Sequence, residues 1–238
     1  MRFTVAAAAL LVLTACADST DPLVDPSLDR QGSSGFREYD VTITNLTTGQ
    51  PLSPPAVVVH SPGRSIFTVG AAASEGIRQI AENGDPSYLV SAVAGTDGIG
   101  QAFAATVPIH RIGGPGPNSI TVKVQARGQV NRLSLATMLI CTNDGFTGLD
   151  GVVLSARFKP VSYHAAAYDA GTEMNTEADG DIVPPCFGIG PVGGTGGGGR
   201  TAEHEVIRHH PGIVGGAALT SAHQWGERII RVTIVRTK

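Results

Sequence analysis

Thr142-Asn143-Asp144-Gly145-Phe146-Thr147-Gly148-Leu149-Asp150 is the first of two acidic segments that lie close together in the sequence. The second is Tyr168-Asp169-Ala170-Gly171-Thr172-Glu173. Between these two segments, residues 152–158 alternate apolar side chains with other side chains. An alternation with a period of two predicts a half-buried β-strand. Two loops rich in acidic residues and glycine therefore lie next to a region that we expect to be built from strands.

The acidic side chains of these loops are candidate ligands for a hard cation. Calcium takes several oxygen ligands, mostly carboxylates and carbonyls, from flexible loops. Asp144, Asp169 and Glu173 could supply them if the two loops share one end of a sheet. The alternative is an ordinary pair of turns, because Asp and Gly also favour turns without any metal. The spacing is not that of an EF-hand, which needs oxygen ligands at alternate positions followed by a Glu.

Several segments together resemble the spondin N-terminal domain family, the module of F-spondin and mindin that also has many bacterial relatives. Leu135-Ala136-Thr137-Met138-Leu139-Ile140 runs into TNDGFTGLD, and YDAGTE follows. Upstream, the similar segments are Val41-Thr42-Ile43-Thr44-Asn45-Leu46-Thr47, Gln50-Pro51-Leu52-Ser53-Pro54-Pro55, Ala73-Ser74-Glu75-Gly76 and Ala81-Glu82-Asn83-Gly84-Asp85. The resemblance covers roughly residue 39 to the C-terminus.

This resemblance implies a β-sandwich with a calcium ion bound by acidic side chains at one end. The matching positions are Asp144 in TNDGF, and Asp169 and Glu173 in YDAGTE. Animal members tend to carry Asp where this chain has Glu173. Glu also chelates calcium, but its longer side chain changes the geometry that the ion would have.

The fold class that we predict is all-β, an antiparallel β-sandwich with one short helix and long loops. Charged residues make up only 16% of the chain and there are 31 glycines, which favours strands and loops over helical bundles. The helix is expected at about 74–83, because Ser74 can cap its start and Gly84 can end it. The predicted strands are 38–46, 56–60, 88–93, 101–107, 119–126, 132–140, 160–168 and 229–235.

The N-terminus predicts export and lipidation. Residues 1–15 have one early positive charge and a short apolar run, as in a secretory signal peptide. Leu13-Thr14-Ala15-Cys16 resembles a bacterial lipoprotein box, which implies that Cys16 is the lipidated first residue of the mature protein. The alternative is an ordinary signal peptide. Residues 16–37 are expected to form a flexible tether and residues 38–238 the sandwich domain. Since Ala17 rather than Asp follows Cys16, the outer membrane is favoured.

The remaining two cysteines, Cys141 and Cys186, form an even pair in an oxidising compartment. A disulfide between them is therefore expected. The alternative is two unpaired buried thiols.

The composition and the motifs narrow the possible functions. A net charge of −3 and an aromatic content of 5% give no reason to expect nucleic acid as a partner. In His204-Glu205-Val206-Ile207-Arg208-His209 the histidines are five positions apart, whereas a zinc protease helix needs four. We predict a non-enzymatic, calcium-binding lipoprotein of the bacterial cell envelope, an adhesion or ligand-binding module for an unknown protein or glycan. The alternatives are a hydrolase of envelope polymers and a structural protein whose acidic loops bind no metal.

Overall fold

The computed structural model describes residues 35–193, 199–215 and 217–238. The predicted signal peptide, Cys16 and most of the predicted tether lie outside the described residues. The strands are β1 (Arg37–Asn45), β2 (Ala56–His60), β3 (Ile99–Ala104), β4 (Ser119–Ala126), β5 (Arg132–Met138), β6 (Gly145–Val153), β7 (Val161–Ala165), β8 (Ala167–Asp169), β9 (Arg208–His209) and β10 (Ile230–Arg236). The helices are α1 (Glu75–Asn83), α2 (Ser87–Val93) and α3 (Pro185–Ile189).

The strands form two antiparallel sheets that pack face to face. One sheet has the order β4-β1-β10-β7 and the other has the order β3-β2-β5-β6-β8-β9. In β1, Tyr39, Val41 and Ile43 are buried while the residues between them are half-buried, as the sequence alternation predicts. These side chains face the main core, which also contains Leu133 and Leu135 of β5. The predicted all-β sandwich is therefore confirmed.

The outer face of the six-stranded sheet is covered by helices. Ile77 and Ile80 of α1 and Leu89 of α2 pack there against Val58 of β2 and Phe146 of β6. Because β2 and β5 lie in the middle of this sheet with apolar layers on both faces, nearly all of their residues are buried. A sheet covered on both faces explains why the alternation of period two is lost in these two strands.

Helix α1 has the boundaries that its sequence predicts. The Ser74 hydroxyl accepts a hydrogen bond from the Ile77 N–H at 3.3 Å, and Gly84 adopts the left-handed conformation that ends the helix, with φ of 66°. The same geometry gives Ser74 a capping role.

Three parts of the sequence prediction are corrected by the structure. The helix predicted at 74–83 is present, but the structure has two further helices. The segment predicted as a strand at 88–93 is helix α2, and Cys186 lies on helix α3. Leu89 is the buried residue of α2, and it packs where Gly76 has no side chain. Val90 and Val93 are partly buried against the same apolar cluster, so tertiary packing accompanies the helical conformation. The strand predicted within 152–158 is β6, which begins earlier, at Gly145, and ends at Val153; Phe158 is 63% exposed. The strand predicted at 160–168 divides into β7 and β8, which belong to different sheets.

Among the described residues, we find no helix with the length and apolar content needed to cross a membrane.

Candidate functional site at the ends of β6 and β8

Strand pairing brings the two acidic segments together at one end of the six-stranded sheet. Asp144 directly precedes β6, and Gly145, the first residue of β6, pairs with Asp169, the last residue of β8. The Ala170 N–H donates to the backbone carbonyl of Asp144 at 3.1 Å. Both aspartates are completely buried. The condition that the sequence left open, a shared sheet end for the two loops, is met.

Glu173 reaches the same place because the chain turns sharply after β8. Gly171 has a φ of 69°, a left-handed conformation that favours glycine, and a Cβ there would lie 2.8 Å from the backbone of Glu205. Beyond this turn, Glu173 forms an isolated antiparallel bridge with Ala202. Its side chain is 1% exposed. The segment around Ala202 thus lies directly beside Glu173.

The two oxygens of Asp144 have different environments. Oδ2 accepts hydrogen bonds from the backbone N–H groups of Thr172 at 2.7 Å and Glu173 at 3.0 Å, and from the Thr172 hydroxyl at 3.2 Å. Oδ1 is buried and has no hydrogen-bond partner. Burial, and then repulsion by Asp169, raise the pKa of Asp144 to about 6 despite the donors at Oδ2.

Glu173 has the same asymmetry. Oε1 accepts a hydrogen bond of 3.3 Å from the Asn143 amide, whereas Oε2 is buried without a hydrogen-bond partner. The nearest cation to Oε2 is the Arg200 guanidinium, whose Nε lies 3.8 Å away. Burial raises the pKa of Glu173 to about 7; Asn143 and Arg200 oppose this rise, and repulsion by Glu82 adds to it.

Asp169 is more fully engaged than the other two carboxylates. Its Oδ1 accepts from the Gly171 N–H at 2.8 Å, and its Oδ2 accepts from the Asn175 amide at 2.7 Å. The Arg208 Nη2 lies 3.1 Å from the same Oδ2. Since a carboxylate oxygen has two lone pairs, Oδ1 retains one site for a further ligand.

The donor set fits a hard cation. Two fully buried carboxylate oxygens without partners are costly to leave unsatisfied, and a third carboxylate has a free lone pair. The ligand atoms of Asp144, Asp169 and Glu173 are spread too widely to lie all within 4.8 Å of one another. Calcium binds oxygens at 2.3–2.6 Å, so ligands on opposite sides of the ion lie about 5 Å apart. A calcium ion is therefore compatible with ligand atoms that do not all lie within 4.8 Å of one another.

A cleft of about 650 Å³ opens beside Glu173. Arg78 and Glu82 of α1 line one side, and Arg200 and His204 line another. Arg200 donates to the Glu82 carbonyl at 3.1 Å and lies 3.5 Å from its carboxylate, so it ties the C-terminal segment to α1. The cleft gives Glu173 a neighbouring space that solvent or a ligand can enter.

Several residues that shape this site were not found from the sequence. Asn143 lies inside the TNDGF motif and could have been proposed, since its amide contacts Glu173 and its Oδ1 accepts from the Glu177 N–H. Arg200 and Arg208 follow the glycine tract far from both acidic segments. No local pattern in the sequence connects them to the carboxylates; only the folding of the C-terminal segment over β8 does.

A disulfide joins Cys141 and Cys186 close to this site, with the two Cα atoms 5.0 Å apart. It attaches α3 to the loop that precedes Asp144. Between Glu173 and α3, the chain contains three more acidic residues, Glu177, Asp179 and Asp181. The Glu177 carboxylate accepts hydrogen bonds from the N–H groups of Val214 and Gly215. Glu177 therefore has a structural role in a loop.

One group of residues in the six-stranded sheet has the composition of a hydrolytic triad but not its order. The His60 Nε2 lies 2.7 Å from the Ser134 hydroxyl, which donates to the Asp150 carboxylate at 2.8 Å. In a catalytic triad the acid contacts the histidine and orients it. Here the acid contacts the serine instead, and His60 and Ser134 are fully buried. The group links β2, β5 and β6 rather than forming an accessible nucleophile.

The fold and the site together define an antiparallel β-sandwich module with a buried cluster of carboxylates between the loops at one sheet end. A family model described as Spondin_N matches residues 48–178, more than half of the chain. The chain belongs to the spondin N-terminal domain family. The match includes Asp144, Asp169 and Glu173 and is narrower than the range expected from the sequence, since β1 and everything after residue 178 lie outside it. A comparison with curated proteins finds no match.

Proposed function

We propose that this protein is a non-enzymatic, calcium-binding module of the bacterial cell envelope. The observation that carries this proposal is the pair of buried carboxylate oxygens without hydrogen-bond partners, Asp144 Oδ1 and Glu173 Oε2. Membership of the spondin N-terminal family supports an extracellular module that does not catalyse a reaction.

The proposed ligands are Asp144, Asp169 and Glu173. Each would contribute carboxylate oxygen, the donor that calcium prefers. A bound ion would supply positive charge where burial and mutual repulsion disfavour ionised carboxylates. Asp144 precedes β6, Asp169 ends β8, and Glu173 follows the turn after β8. An ion bound by all three would therefore fix the relative positions of the loops that contain them. Its role would be to stabilise the surface that those loops present.

Calcium titration of the purified protein tests this proposal. We expect one ion per chain by calorimetry, and stabilisation of about 3 kcal/mol at a calcium concentration a hundred times the dissociation constant. In a chain of this size that corresponds to a rise in melting temperature of about 5–10 °C. Asp169→Asn should abolish the rise, whereas Asp97→Asn, at an exposed position, should preserve it. If calcium leaves the melting temperature of the unmodified protein unchanged, the acidic loops are ordinary turns.

We further propose that Cys16 carries a lipid that holds the domain at the outer membrane, where it binds a protein or glycan. The lipoprotein box and the polar segment after Cys16 support this part. Metabolic labelling with palmitate and membrane fractionation test it. Cys16→Ala should abolish the label and release the protein, and labelling that persists in Cys16→Ala would contradict the assignment.

The alternative function is hydrolysis of an envelope polymer in the cleft beside Glu173, where His204 lies on one wall. His204 is exposed, and no hydrogen bond joins it to a Ser or Thr hydroxyl or a Cys thiol within the described ranges. Incubation with peptidoglycan and envelope polysaccharides distinguishes the two. Turnover that His204→Ala abolishes would favour the hydrolase.

A further inference from the structure

A third apolar cluster contains a second group of residues with metal-binding chemistry. Here the Cys141–Cys186 disulfide lies beside His223, and the two sulfurs and a ring nitrogen of His223 all lie within 4.8 Å of one another. All three residues are completely buried. Their apolar neighbours include Ile140, Ile182, Leu219 and Ile213.

His223 has one ring nitrogen available. The Thr220 N–H donates to Nδ1 at 3.0 Å, so in the neutral ring the proton is on Nε2. Nε2 is buried and has no hydrogen-bond partner. A buried polar atom without a partner is unusual and calls for an explanation. The nearby disulfide does not provide one, because its sulfurs are poor acceptors.

The separation of Cys141 from His223 is fixed by Gln50. Its amide nitrogen donates to the carbonyls of Cys141 at 3.0 Å and His223 at 2.8 Å, and its amide oxygen accepts from the Cys141 N–H at 2.9 Å. Three hydrogen bonds from one buried side chain hold the two backbone segments in register. These hydrogen bonds hold the backbones of Cys141 and His223 next to each other independently of whether the disulfide is closed.

We propose that reduction of the Cys141–Cys186 disulfide converts this cluster into a buried zinc site, with the two thiolates and the His223 imidazole as ligands. Zinc binds sulfur at about 2.3 Å and nitrogen at about 2.0–2.1 Å, which in tetrahedral geometry places ligand atoms roughly 3.5–3.8 Å apart. The three atoms already lie within 4.8 Å of one another. Shifts of about 1 Å bring them to this geometry.

The charge of such a complex suits its surroundings. Two thiolates cancel the charge of Zn²⁺ and the imidazole is neutral, so no net charge is placed among the apolar side chains of this cluster. The carboxylate site offers only hard oxygen donors, whereas this cluster offers the soft donors that zinc prefers. The zinc site uses none of the residues of the proposed calcium site, so the two proposals can be tested separately.

The reaction needs an external dithiol as reductant. The dithiol gives two electrons to the disulfide and becomes a disulfide itself, and each protein sulfur gains a proton. Zn²⁺ then displaces one proton from each thiol. Ligation through Nε2 moves the ring proton to Nδ1, which exchanges the Thr220 N–H for the Thr220 hydroxyl, 3.4 Å away, as its partner. The loss of one hydrogen bond is small beside the affinity of thiolate sites for zinc.

Cobalt and zinc titrations of the reduced protein test the proposal. After reduction and anaerobic removal of the dithiol, we expect one Co²⁺ per chain with a thiolate-to-cobalt charge-transfer band, displaced by one Zn²⁺. The oxidised protein should give neither signal. His223→Ala should weaken zinc binding at least a hundredfold and Cys186→Ser should abolish the charge-transfer band of a two-thiolate site, while His164→Ala, at an exposed position of β7, should leave both unchanged.

Circular dichroism of each sample keeps the result interpretable. If the reduced chain loses its strand signal, one equivalent of Zn²⁺ should restore it, and failure to restore it overturns the proposal. The proposal is also overturned if the reduced, folded protein binds less than one zinc, or if His223→Ala binds zinc as tightly as the unmodified protein.

Discussion

In the absence of calcium, raising the pH should destabilise this protein, and Glu173→Gln should remove much of the effect. Burial raises the pKa of Asp144 from 3.8 to about 6 and that of Glu173 from 4.5 to about 7. A carboxyl group whose pKa is higher in the folded state stabilises the fold fully below its unfolded pKa. This contribution is lost as the pH rises through its folded pKa. The loss therefore falls between about pH 4 and pH 7.

The magnitude follows from the two shifts. One pKa unit is equivalent to about 1.4 kcal/mol, so each group contributes about 3 kcal/mol. The combined loss is smaller than the sum, because repulsion by ionised Asp144 is itself one of the causes that raise the pKa of Glu173. It is nevertheless large against the total stability of roughly 5–15 kcal/mol that folded domains have.

The assay is chemical or thermal unfolding of the protein and its variants in a chelator, from pH 4 to pH 8. At pH 8, Glu173→Gln should be more stable than the unmodified protein by about 2 kcal/mol, or roughly 4–8 °C, and at pH 4 the two should coincide. Saturating calcium should reverse the order at pH 8. Glu227→Gln, at an exposed position, serves as the matched control. Parallel pH profiles for the unmodified protein and Glu173→Gln in chelator would refute the reasoning.

Three further predictions follow from the same structure. Calcium affinity should fall roughly a hundredfold between pH 7.5 and 5.5, because protons on Asp144 and Glu173 must leave before the ion binds; calorimetry at each pH measures this, and a constant affinity would contradict it. Arg200→Gln should increase calcium affinity by about three- to tenfold, since it removes a positive charge 3.8 Å from Glu173, whereas Arg231→Gln on the exposed side of β10 should not. Reduction of the disulfide without added metal should lower stability by about 4 kcal/mol, the chain-entropy value for cysteines 45 positions apart, and an unchanged melting temperature would show that this loop is restrained by other contacts.

The candidate site was recognisable from the sequence to the extent that its residues are local. Asp144 directly precedes β6 and Asp169 is the last residue of β8, so strand prediction together with the family resemblance placed both at a sheet end. Arg208 and Arg200 were not recognisable, because their contacts with Asp169 and Glu173 join positions separated in the chain by the glycine tract. Ion pairs between distant segments follow from the route of the chain, which no local pattern encodes.

The same distinction between local and long-range information explains which secondary-structure elements could be predicted. The sequence of β1 determines a strand with one buried face, because its alternation matches the strand period and both neighbours are regular strands. Helix α2 could not be recognised, because Tyr88 and Val90 favour strands by propensity, whereas Leu89, Val90 and Val93 pack as a helix against the apolar cluster beside Gly76. Where tertiary packing outweighs propensity, a short segment of sequence contains too little information to predict its secondary structure.

By itself, the sequence determined a β-sandwich with acidic loops, since periodicity, turn residues and the family motifs are properties of short segments. Only the tertiary structure decided what those acids experience. It paired Gly145 with Asp169, buried Asp144 Oδ1 and Glu173 Oε2 without partners, and positioned His223 beside a disulfide. The physical reason is that desolvation and charge–charge distance depend on how segments far apart in the chain pack, and these quantities set the pKa values of the site.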